Sequence, residues 1–316
     1  MPKYSLKHHT KYTYTGPVRE LANQIMLFPF NDTQQEVKKH EITISGDPEV
    51  EVFVDNYGNQ VGIFSITGPL TELSILSQLE ISVNPTYPPA DKIDAATQWK
   101  ELSQLANQFP YIDFLWQEKF EAQSELFEVI KATRFFTKSP FVAAQEMSTY
   151  VYNHFEYKQG ITDVETGIDE IWKIKGGVCQ DFARVLLIML RHTGIPARYV
   201  SGYICPKNHD LRGEGATHAW VEAYLPFDGW VGLDPTNNCI VEDKHIRLAI
   251  GRNFEDCTPV KGTYKGNTDH TLEVHVTIDG EGTNISSNQP NPAFSYQTQK
   301  KSTDNSYRKF IEQQQQ

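Results

Sequence analysis

The stretch Gly176-Gly177-Val178-Cys179-Gln180-Asp181-Phe182-Ala183 decides how the fold of this chain is read. Two glycines allow a sharp backbone turn, and apolar side chains then recur at helical spacing as far as Leu190. Gly194 ends that helix, and Pro196 prevents its resumption. Cys179 is therefore expected at or next to the first helical turn, where free N–H groups and the helix dipole favour a thiolate. The same N–H groups are suited to stabilising an oxyanion.

A lone cysteine is more often a small buried residue than a nucleophile. A nucleophilic Cys179 therefore needs a base, and the base needs an orienting group. Residues 217–225 alternate as a strand that carries His218, and residues 230–235 form the returning strand of a hairpin, with Asp234 near its end. Taken singly, a strand histidine is usually structural and an Asp-Pro pair is a common turn, so the hypothesis rests on the three residues together.

The register of this hairpin decides whether Asp234 reaches His218. A hairpin loop with an even number of residues places Asp234 opposite Val221, on the other face of the sheet. An odd loop or one bulge places it opposite Trp220 and diagonal to His218, within reach of a long side chain. A Cys179–His218–Asp234 triad therefore predicts an odd loop or a bulge between the two strands.

The rest of the chain divides by pattern into four parts. Residues 1–85 contain several short strands of period two, which predict a β-sandwich domain. Residues 86–139 predict a helical connecting segment, and residues 140–278 predict an α+β catalytic core with a terminal strand at 270–278. Which sheet takes that last strand is left open. Residues 279–316 are rich in Asn, Gln, Ser and Gly and predict a disordered polar tail.

Three helices are expected between the β-sandwich domain and the double glycine, over about 92–108, 122–133 and 140–155. Asp91 is the expected N-cap of the first helix, since an aspartate side chain accepts hydrogen bonds from free N–H groups. Pro140 suits the first turn of the third, because proline lacks the N–H that a helix start leaves free.

Composition excludes several kinds of partner. The net charge of −11 over 316 residues argues against nucleic acid, because such domains usually carry a basic face. No apolar run approaches the roughly 20 residues that span a bilayer, so no membrane partner is expected. The first ten residues lack the apolar region of a secretory signal, and the four cysteines are then expected to be reduced, in the cytoplasm.

The spacing of the cysteines and histidines predicts no metal site. The chain has no C-x-x-C pair and no H-x-x-x-H pair, so a zinc site built from His218 and the other cysteines is disfavoured. No acidic cluster suggests a calcium loop. The sequence therefore predicts neither a metal nor another cofactor.

Four blocks in order resemble the bacterial transglutaminase-like superfamily, whose members are often described as candidate cysteine proteases. They are GVCQDFA at 177–183, GIPARYVSGY at 194–203, HAWVE at 218–222 and WVGLDPT at 230–236. This resemblance covers about 140–260. The N-terminal strands, with DNYGNQ at 55–60, resemble the β-rich domain that precedes the core in the same family.

The resemblance implies a papain-like, transglutaminase-like core in which Cys179 is the nucleophile, His218 the general base and Asp234 the residue that orients the imidazole. Animal transglutaminases help to hold the oxyanion with a tryptophan well upstream of the cysteine. Here the tryptophan nearest before it, Trp172, is only seven positions upstream, so that role is not carried over. The remaining oxyanion or substrate-side candidates are Gln180, Tyr152 and Trp220.

The implied chemistry is attack on an amide carbonyl of a peptide or protein, through an acyl-enzyme thioester. We expect a thiol-dependent hydrolase, a peptidase or amidase, because water is always present as an acyl acceptor. Transfer of the acyl group to an amine is the alternative within enzymes. A catalytically silent peptide-binding module is the third hypothesis, and the intact Cys, His and Asp set argues against it.

Overall fold

A computed structural model describes residues 1–163, 166–205, 212, 217–280 and 294–296. It confirms the predicted fold class, since a strand-rich N-terminal region is followed by helices and sheets of an α+β core. Contacts divide the chain into two units. The first contains Met1–Val83 and the described residues from Thr258 onward, and the second contains Asn84–Cys257.

The first unit is built on one long strand. β1 (Lys3–Ile25) pairs with two strands along its first half and with two others along its second half. Its early residues alternate between buried and exposed, as the period-two pattern predicts. The other strands are β2 (Gln35–Ile44), β3 (Glu51–Val54), β4 (Gln60–Ile66), β5 (Leu70–Val83), β13 (Val260–Lys265), β14 (His270–Gly280) and β15 (Phe294–Tyr296).

The strand that the sequence could not place belongs to the first unit. β14 pairs antiparallel with β1, from Tyr4 opposite Gly280 to Tyr14 opposite His270. The predicted ranges grouped this strand with the catalytic core, and the contacts group it with the N-terminal sheet instead. The reason is that β1 has two hydrogen-bonding edges, and β5 occupies only one of them along this stretch.

Most of the predicted disordered tail at 279–316 lies outside the described residues. Within it, Asp279 and Gly280 extend β14, and the short strand β15 pairs with β14 at Leu272–Val274. The prediction of disorder is corrected for these residues. The alternating aromatics Phe294 and Tyr296 have the β-propensity that a strand favours, within an otherwise polar composition.

In the second unit the helix with the largest number of buried residues packs against a five-stranded sheet, in the order β11-β10-β9-β8-β12. That helix is α5 (Cys179–His192), whose predicted apolar face is buried and which packs on β8 and β9. The other elements of the unit are α1 (Ala95–Leu105), α2 (Gln123–Ala132), α3 (Pro140–His154), β6 (Glu156–Tyr157), α4 (Ile168–Ile174), β7 (Gly176–Gly177), β8 (Ala197–Ile204), β9 (His218–Leu225), β10 (Gly229–Asp234), β11 (Cys239–Ile240) and β12 (His245–Gly251).

The N-cap of α1 differs from the prediction. Asp94, not Asp91, caps this helix, and its carboxylate accepts a hydrogen bond from the Thr97 N–H at 3.0 Å. Asp91 precedes the helix with a positive φ of 47° and accepts hydrogen bonds from the side chains of Gln98 and Ser139. Two aspartates three residues apart offer the same capping chemistry, and only the backbone conformation selects between them.

The helices of the described residues share one further property. None of them combines the length and the apolar character that crossing a lipid bilayer requires.

Candidate active site

Cys179 is the first residue of α5, and the extended Val178 precedes it as the N-cap. The Asp181 carboxylate accepts hydrogen bonds from the Val178 N–H at 2.8 Å and from the Thr162 hydroxyl at 2.7 Å. A Cβ atom on Gly177 would collide with this carboxylate, so the close approach requires glycine. The loop that leads to Cys179 is therefore tied to the first turn of the helix that carries it.

Asp181 is a buried acid at the start of α5. Burial raises the pKa of its carboxyl group, and the hydrogen bonds from Val178 and Thr162 act in the opposite direction. A carboxylate at this position satisfies N–H groups that a helix start leaves free and interacts favourably with the helix dipole. Asp181 therefore stabilises the loop geometry that presents the thiol.

The Cys179 side chain is half-buried, whereas Cys205 and Cys257 are buried. Burial raises the pKa of the Cys205 thiol well above its usual range and that of Cys239 to about 12. Those two thiols are therefore held neutral. Cys179 instead lies half-buried at the N-terminus of α5.

The β9–β10 hairpin has the register that a triad requires. Leu225 pairs with Gly229 across residues 226–228, so the loop contains the odd number of three. The pairing continues to Leu233 opposite Val221, which brings Asp234 opposite Trp220. Asp234 is therefore on the face of the sheet that carries His218, as this register predicts.

His218 and Asp234 are in direct contact. His218 Nε2 lies 2.8 Å from Asp234 Oδ2, and both side chains are fully buried. The other ring nitrogen, Nδ1, has no hydrogen-bond partner of good geometry among the described residues. Cys179 lies near enough to raise the pKa of His218, so Nδ1 is the nitrogen that is left to face the thiol.

Two opposing effects set the charge state of this pair. Burial disfavours the imidazolium, but the charge and the hydrogen bond of Asp234, with a contribution from Cys179, raise the pKa of His218 to about 10. Burial likewise favours protonated Asp234, but His218 and His245 hold the pKa of that carboxyl well below its usual range. Each of the two groups therefore favours the charged form of the other.

Main-chain groups fix one oxygen of Asp234. Oδ1 accepts hydrogen bonds from the N–H groups of Thr236 at 2.9 Å and Asn237 at 3.2 Å, in a turn that the Asp-Pro sequence initiates. Side chains hold the other oxygen. Oδ2 accepts from His218, from Asn237 Nδ2 at 2.8 Å and, at 3.4 Å, from His245 Nε2.

Asn237 and His245 are site residues that sequence reasoning missed. Asn237 carries a signal that could have found it, because a polar residue three positions after an Asp-Pro turn is placed to bond that aspartate. His245 carries none. His245 lies on β12, which is near the site because β12 pairs with β8 and β8 pairs with β9. Local sequence does not specify such long-range pairing.

The three oxyanion or substrate-side candidates lie in different surroundings. Gln180 is half-buried at the second position of α5, beside Cys179. Tyr152 is half-buried on α3, and the Arg212 guanidinium stands 4.4 Å from the centre of its ring. Trp220 is 1% exposed and packs against the imidazoles of both His218 and His245, which suits a packing role better than contact with substrate. Their catalytic roles stay predictions.

His218, Asp234 and His245 also form a cluster of potential metal ligands, since their ligand atoms lie within 4.8 Å of one another. The carboxylate, however, already accepts hydrogen bonds at both oxygens, from two main-chain N–H groups and from Asn237. A metal ion would have to displace the Asn237 amide and separate His218 from Asp234. The arrangement therefore suits a hydrogen-bonded network better than a metal site.

Two family models match this chain. Residues 4–82 match the bacterial transglutaminase-like N-terminal region, and residues 131–235 match the core of the transglutaminase-like superfamily. The second range contains Cys179, His218 and Asp234.

The chain belongs to the transglutaminase-like superfamily. An uncharacterised protein of Mycobacterium tuberculosis is 32% identical over 295 residues, which cover 88% of this chain and 92% of the relative. A protein-glutamine gamma-glutamyltransferase of Pseudomonas aeruginosa is 34% identical over 94 residues, which cover 27% of this chain and 14% of that protein. The resemblance predicted from the four sequence blocks is thereby confirmed.

A solved structure shares the fold over nearly the whole chain. The crystal structure of a proposed cysteine protease from Cytophaga hutchinsonii superimposes with a TM-score of 0.71, covering 90% of this chain and 92% of that one. The two sequences are 20% identical, so this likeness supports the transglutaminase-like fold of the chain and not a particular activity.

Proposed function

We propose that this protein is a thiol-dependent hydrolase that cleaves amide bonds in peptides or proteins. One observation carries the proposal: His218 is bonded through Nε2 to the buried Asp234 at 2.8 Å and has Nδ1 left for Cys179 at the start of α5. A nucleophile, a base and a group that orients the base are the components of a catalytic triad, which is recognised by geometry.

The first half of the proposed reaction is acylation. The Cys179 thiolate attacks the amide carbonyl, a C–S bond forms, and the carbonyl electron pair moves to oxygen. The free N–H groups of the first turn of α5 stabilise that oxyanion, with the Gln180 side chain as a further candidate donor. His218 then donates its proton to the departing amine, the C–N bond breaks, and a thioester remains on Cys179.

The second half is deacylation. His218, now neutral, accepts a proton from water as the water attacks the thioester carbonyl. The C–S bond breaks, the product leaves as a carboxylic acid, and the thiolate and imidazolium are restored. Asp234 keeps Nδ1 directed at the sulfur and stabilises the imidazolium through both halves.

Selective alkylation tests the presence of an activated thiol. With iodoacetamide at pH 6 we expect Cys179 to be labelled well before Cys205, Cys239 and Cys257, as read by mass spectrometry of peptides. The change His218→Ala should slow the labelling of Cys179. A matched control is His192→Ala, since His192 lies on α5 about 20 Å from Cys179 at 1.5 Å per residue and should not affect its labelling.

Equal labelling of the four thiols in the native protein would contradict the hydrolase and favour a silent peptide-binding module. If Cys179 is selectively labelled, incubation with a peptide library measures cleavage directly, with Cys179→Ala as the blank. If Cys179 is selectively labelled but no peptide amide is cleaved, the thiol is activated and its acyl donor is not a peptide amide.

Transfer of the acyl group to an amine is the second candidate function. The observation that favours it is the match to the gamma-glutamyltransferase of Pseudomonas aeruginosa, although that match covers only part of either chain. The chemistry differs only in the second half, where an amine replaces water. Incorporation of a labelled amine into glutamine-containing peptides, absent from Cys179→Ala, would support transfer over hydrolysis.

We also infer a cytoplasmic location, which the cysteine chemistry supports. The four cysteines are free, and free thiols persist in reducing compartments. Cell fractionation with an antibody to the protein tests this, and recovery from a secreted or periplasmic fraction would contradict it.

A further inference from the structure

Two imidazole rings lie within hydrogen-bonding distance of the same oxygen of Asp234. His218 Nε2 lies 2.8 Å and His245 Nε2 lies 3.4 Å from Oδ2, and all three side chains are almost fully buried. Only His218 has a role in the reaction proposed above. His245 is left as a buried polar residue that contacts the orienting group from a strand on the far side of β8.

We propose that His245 is a positioning residue of the triad, which acts by fixing the Asp234 carboxylate. The inference rests on the proposed thiol chemistry and names a part of it that no family motif assigned. Among the described residues His245 bonds to Asp234 and lies beside the His218 ring, and it has no described contact with Cys179, so it acts on the thiol through Asp234 and His218.

The hydrogen bonds to Asp234 explain why a second imidazole is useful. Main-chain N–H groups of residues 236–237 hold Oδ1, but Oδ2 is held by side chains alone: His218, Asn237 and His245. Rotation of the carboxylate moves Oδ2, and His218 moves with it. His245 and Asn237 therefore restrain the oxygen that sets the direction of the His218 ring.

The surroundings of His245 fix its ring in turn. It stands at the start of β12, and Trp220 packs against it edge to face with ring centres 5.2 Å apart. Its Nδ1 is buried and has no partner among the described residues, so a neutral ring carries its proton on Nε2, where it donates to Asp234. His245 thus combines a hydrogen bond with an apolar packing surface.

Two substitutions at His245 test the proposal, because they separate its hydrogen bond to Asp234 from its packing on Trp220. His245→Gln keeps an amide donor near the position of Nε2 but loses the ring that packs on Trp220. His245→Leu keeps apolar volume but removes the donor. A purely structural role predicts that the leucine variant is at least as good as the glutamine variant.

The experiment measures the second-order rate constant for iodoacetamide alkylation of Cys179 at pH 6 and the thermal midpoint of each variant. We expect His245→Leu to lower the rate constant about tenfold and His245→Gln to lower it less than about threefold, because only the first loses a bond to an ionised group. His192→Leu, at the far end of α5, controls for removal of a histidine and should react like the native protein.

The outcomes separate this inference from the proposed function. If native Cys179 is not selectively alkylated, the proposed function fails. If native Cys179 is selective but both His245 variants react at the native rate, or if both are slowed in proportion to their loss of thermal stability, only the role of His245 fails. Slower reaction of the leucine variant with rescue by glutamine supports it.

Discussion

At the scale of single residues, the charge of Asp234 governs the protonation of His218. Burial alone disfavours the imidazolium, and Asp234 reverses this and raises the pKa of His218 to about 10. In Asp234→Asn the amide keeps the volume but not the charge, so we expect the pKa of His218 to fall below its usual 6.5. NMR of ring-labelled histidine at pH 8 should show a charged His218 in the native protein and a neutral one in the variant.

The direction of the change in the His218 pKa decides the outcome. A partner that raises a histidine pKa favours the protonated form up to the raised value, so its removal lowers the pH at which the proton is lost. His192, outside the site, supplies the internal reference signal. A His218 that is already neutral at pH 8 in the native protein would show that Asp234 does not outweigh burial.

Gly177 is the second residue with a specific steric role. A Cβ atom there would overlap the Asp181 carboxylate, and the φ of +154° is one that residues with side chains rarely adopt. We expect Gly177→Ala to displace Asp181, loosen the start of α5 and lower the alkylation rate of Cys179 about tenfold or more, since overpacking typically costs 1–3 kcal/mol. Gly160→Ala, where the added atom meets nothing, is the control for a glycine with positive φ.

Circular dichroism and the alkylation rate together decide the Gly177 prediction. A native rate in a folded Gly177→Ala protein would mean that the loop accommodates the extra carbon without moving the thiol. A reduced rate with native helix content would place the effect at the loop rather than in the global fold.

At the scale of elements, the three-residue loop of the β9–β10 hairpin sets which face Asp234 occupies. Pro226 and Phe227 take the two central positions of a turn closed by the Asp228 N–H on the Leu225 carbonyl, and Phe227 has a φ of +73°. Such a φ costs a residue with a side chain roughly 1–2 kcal/mol, and glycine avoids this cost. The sequence therefore tolerates a strained residue at the turn.

We expect Phe227→Gly to stabilise the protein by roughly 1 kcal/mol, because the Phe227 ring is 64% exposed and little packing is lost. Urea unfolding measures the change, and the alkylation rate of Cys179 should stay native because the register is kept. A destabilised variant would show that the ring contributes more packing than its exposure indicates.

Local pattern is enough to predict several elements and to select the residues of the candidate site. The glycine turn, the apolar spacing of α5 and the alternation of β9 and β10 are short-range signals, and they suffice to single out Cys179, His218 and Asp234. The register condition is also met, by an odd loop. The N-cap at Asp94 is not predictable in the same way, because Asp91 and Asp94 offer the same side chain and only the backbone distinguishes them.

Long-range pairing is not accessible to the same reasoning. The positions of β12 and β14 depend on which sheet edge is free after the other strands have paired, and local sequence does not encode that choice. For this reason the sequence pattern misses His245 and groups the strand at 270–278 with the core. Both features depend on contacts between residues that are far apart along the chain.

At the scale of the whole molecule, the second unit is inserted in sequence between strands of the first. β5 ends at Val83 and β13 begins at Val260, and both pair with β1. The first unit therefore assembles only when β1 pairs with strands that precede the second unit in sequence and with strands that follow it. The stability of this assembly depends on residues of β1 that pair with β5 on one edge and with β14 on the other.

His8 is such a residue, since it pairs with Ser77 of β5 on one side and Val276 of β14 on the other. Burial, with a smaller contribution from the charge of His9, lowers its pKa to about 4. The unfolded chain, with a histidine pKa of 6.5, therefore binds more protons than the folded chain between pH 6.5 and 4. The contribution of neutral His8 to stability is complete above pH 6.5 and is lost as the pH falls toward 4.

The whole-molecule prediction is that the first unit loses about 2 kcal/mol of stability between pH 7.5 and pH 5 through His8 alone. Native-state hydrogen exchange of the β1 amides, corrected for the intrinsic pH dependence of exchange, measures this. In His8→Gln the loss of stability between these pH values should be smaller by that amount. His9 and His40, whose pKa values burial also lowers, keep part of the pH dependence of stability. An equal loss in the native protein and in His8→Gln would mean that β1 opens locally to solvate His8 without releasing the sheet, which the remaining pairs of β1 with β5 and β14 would then hold together.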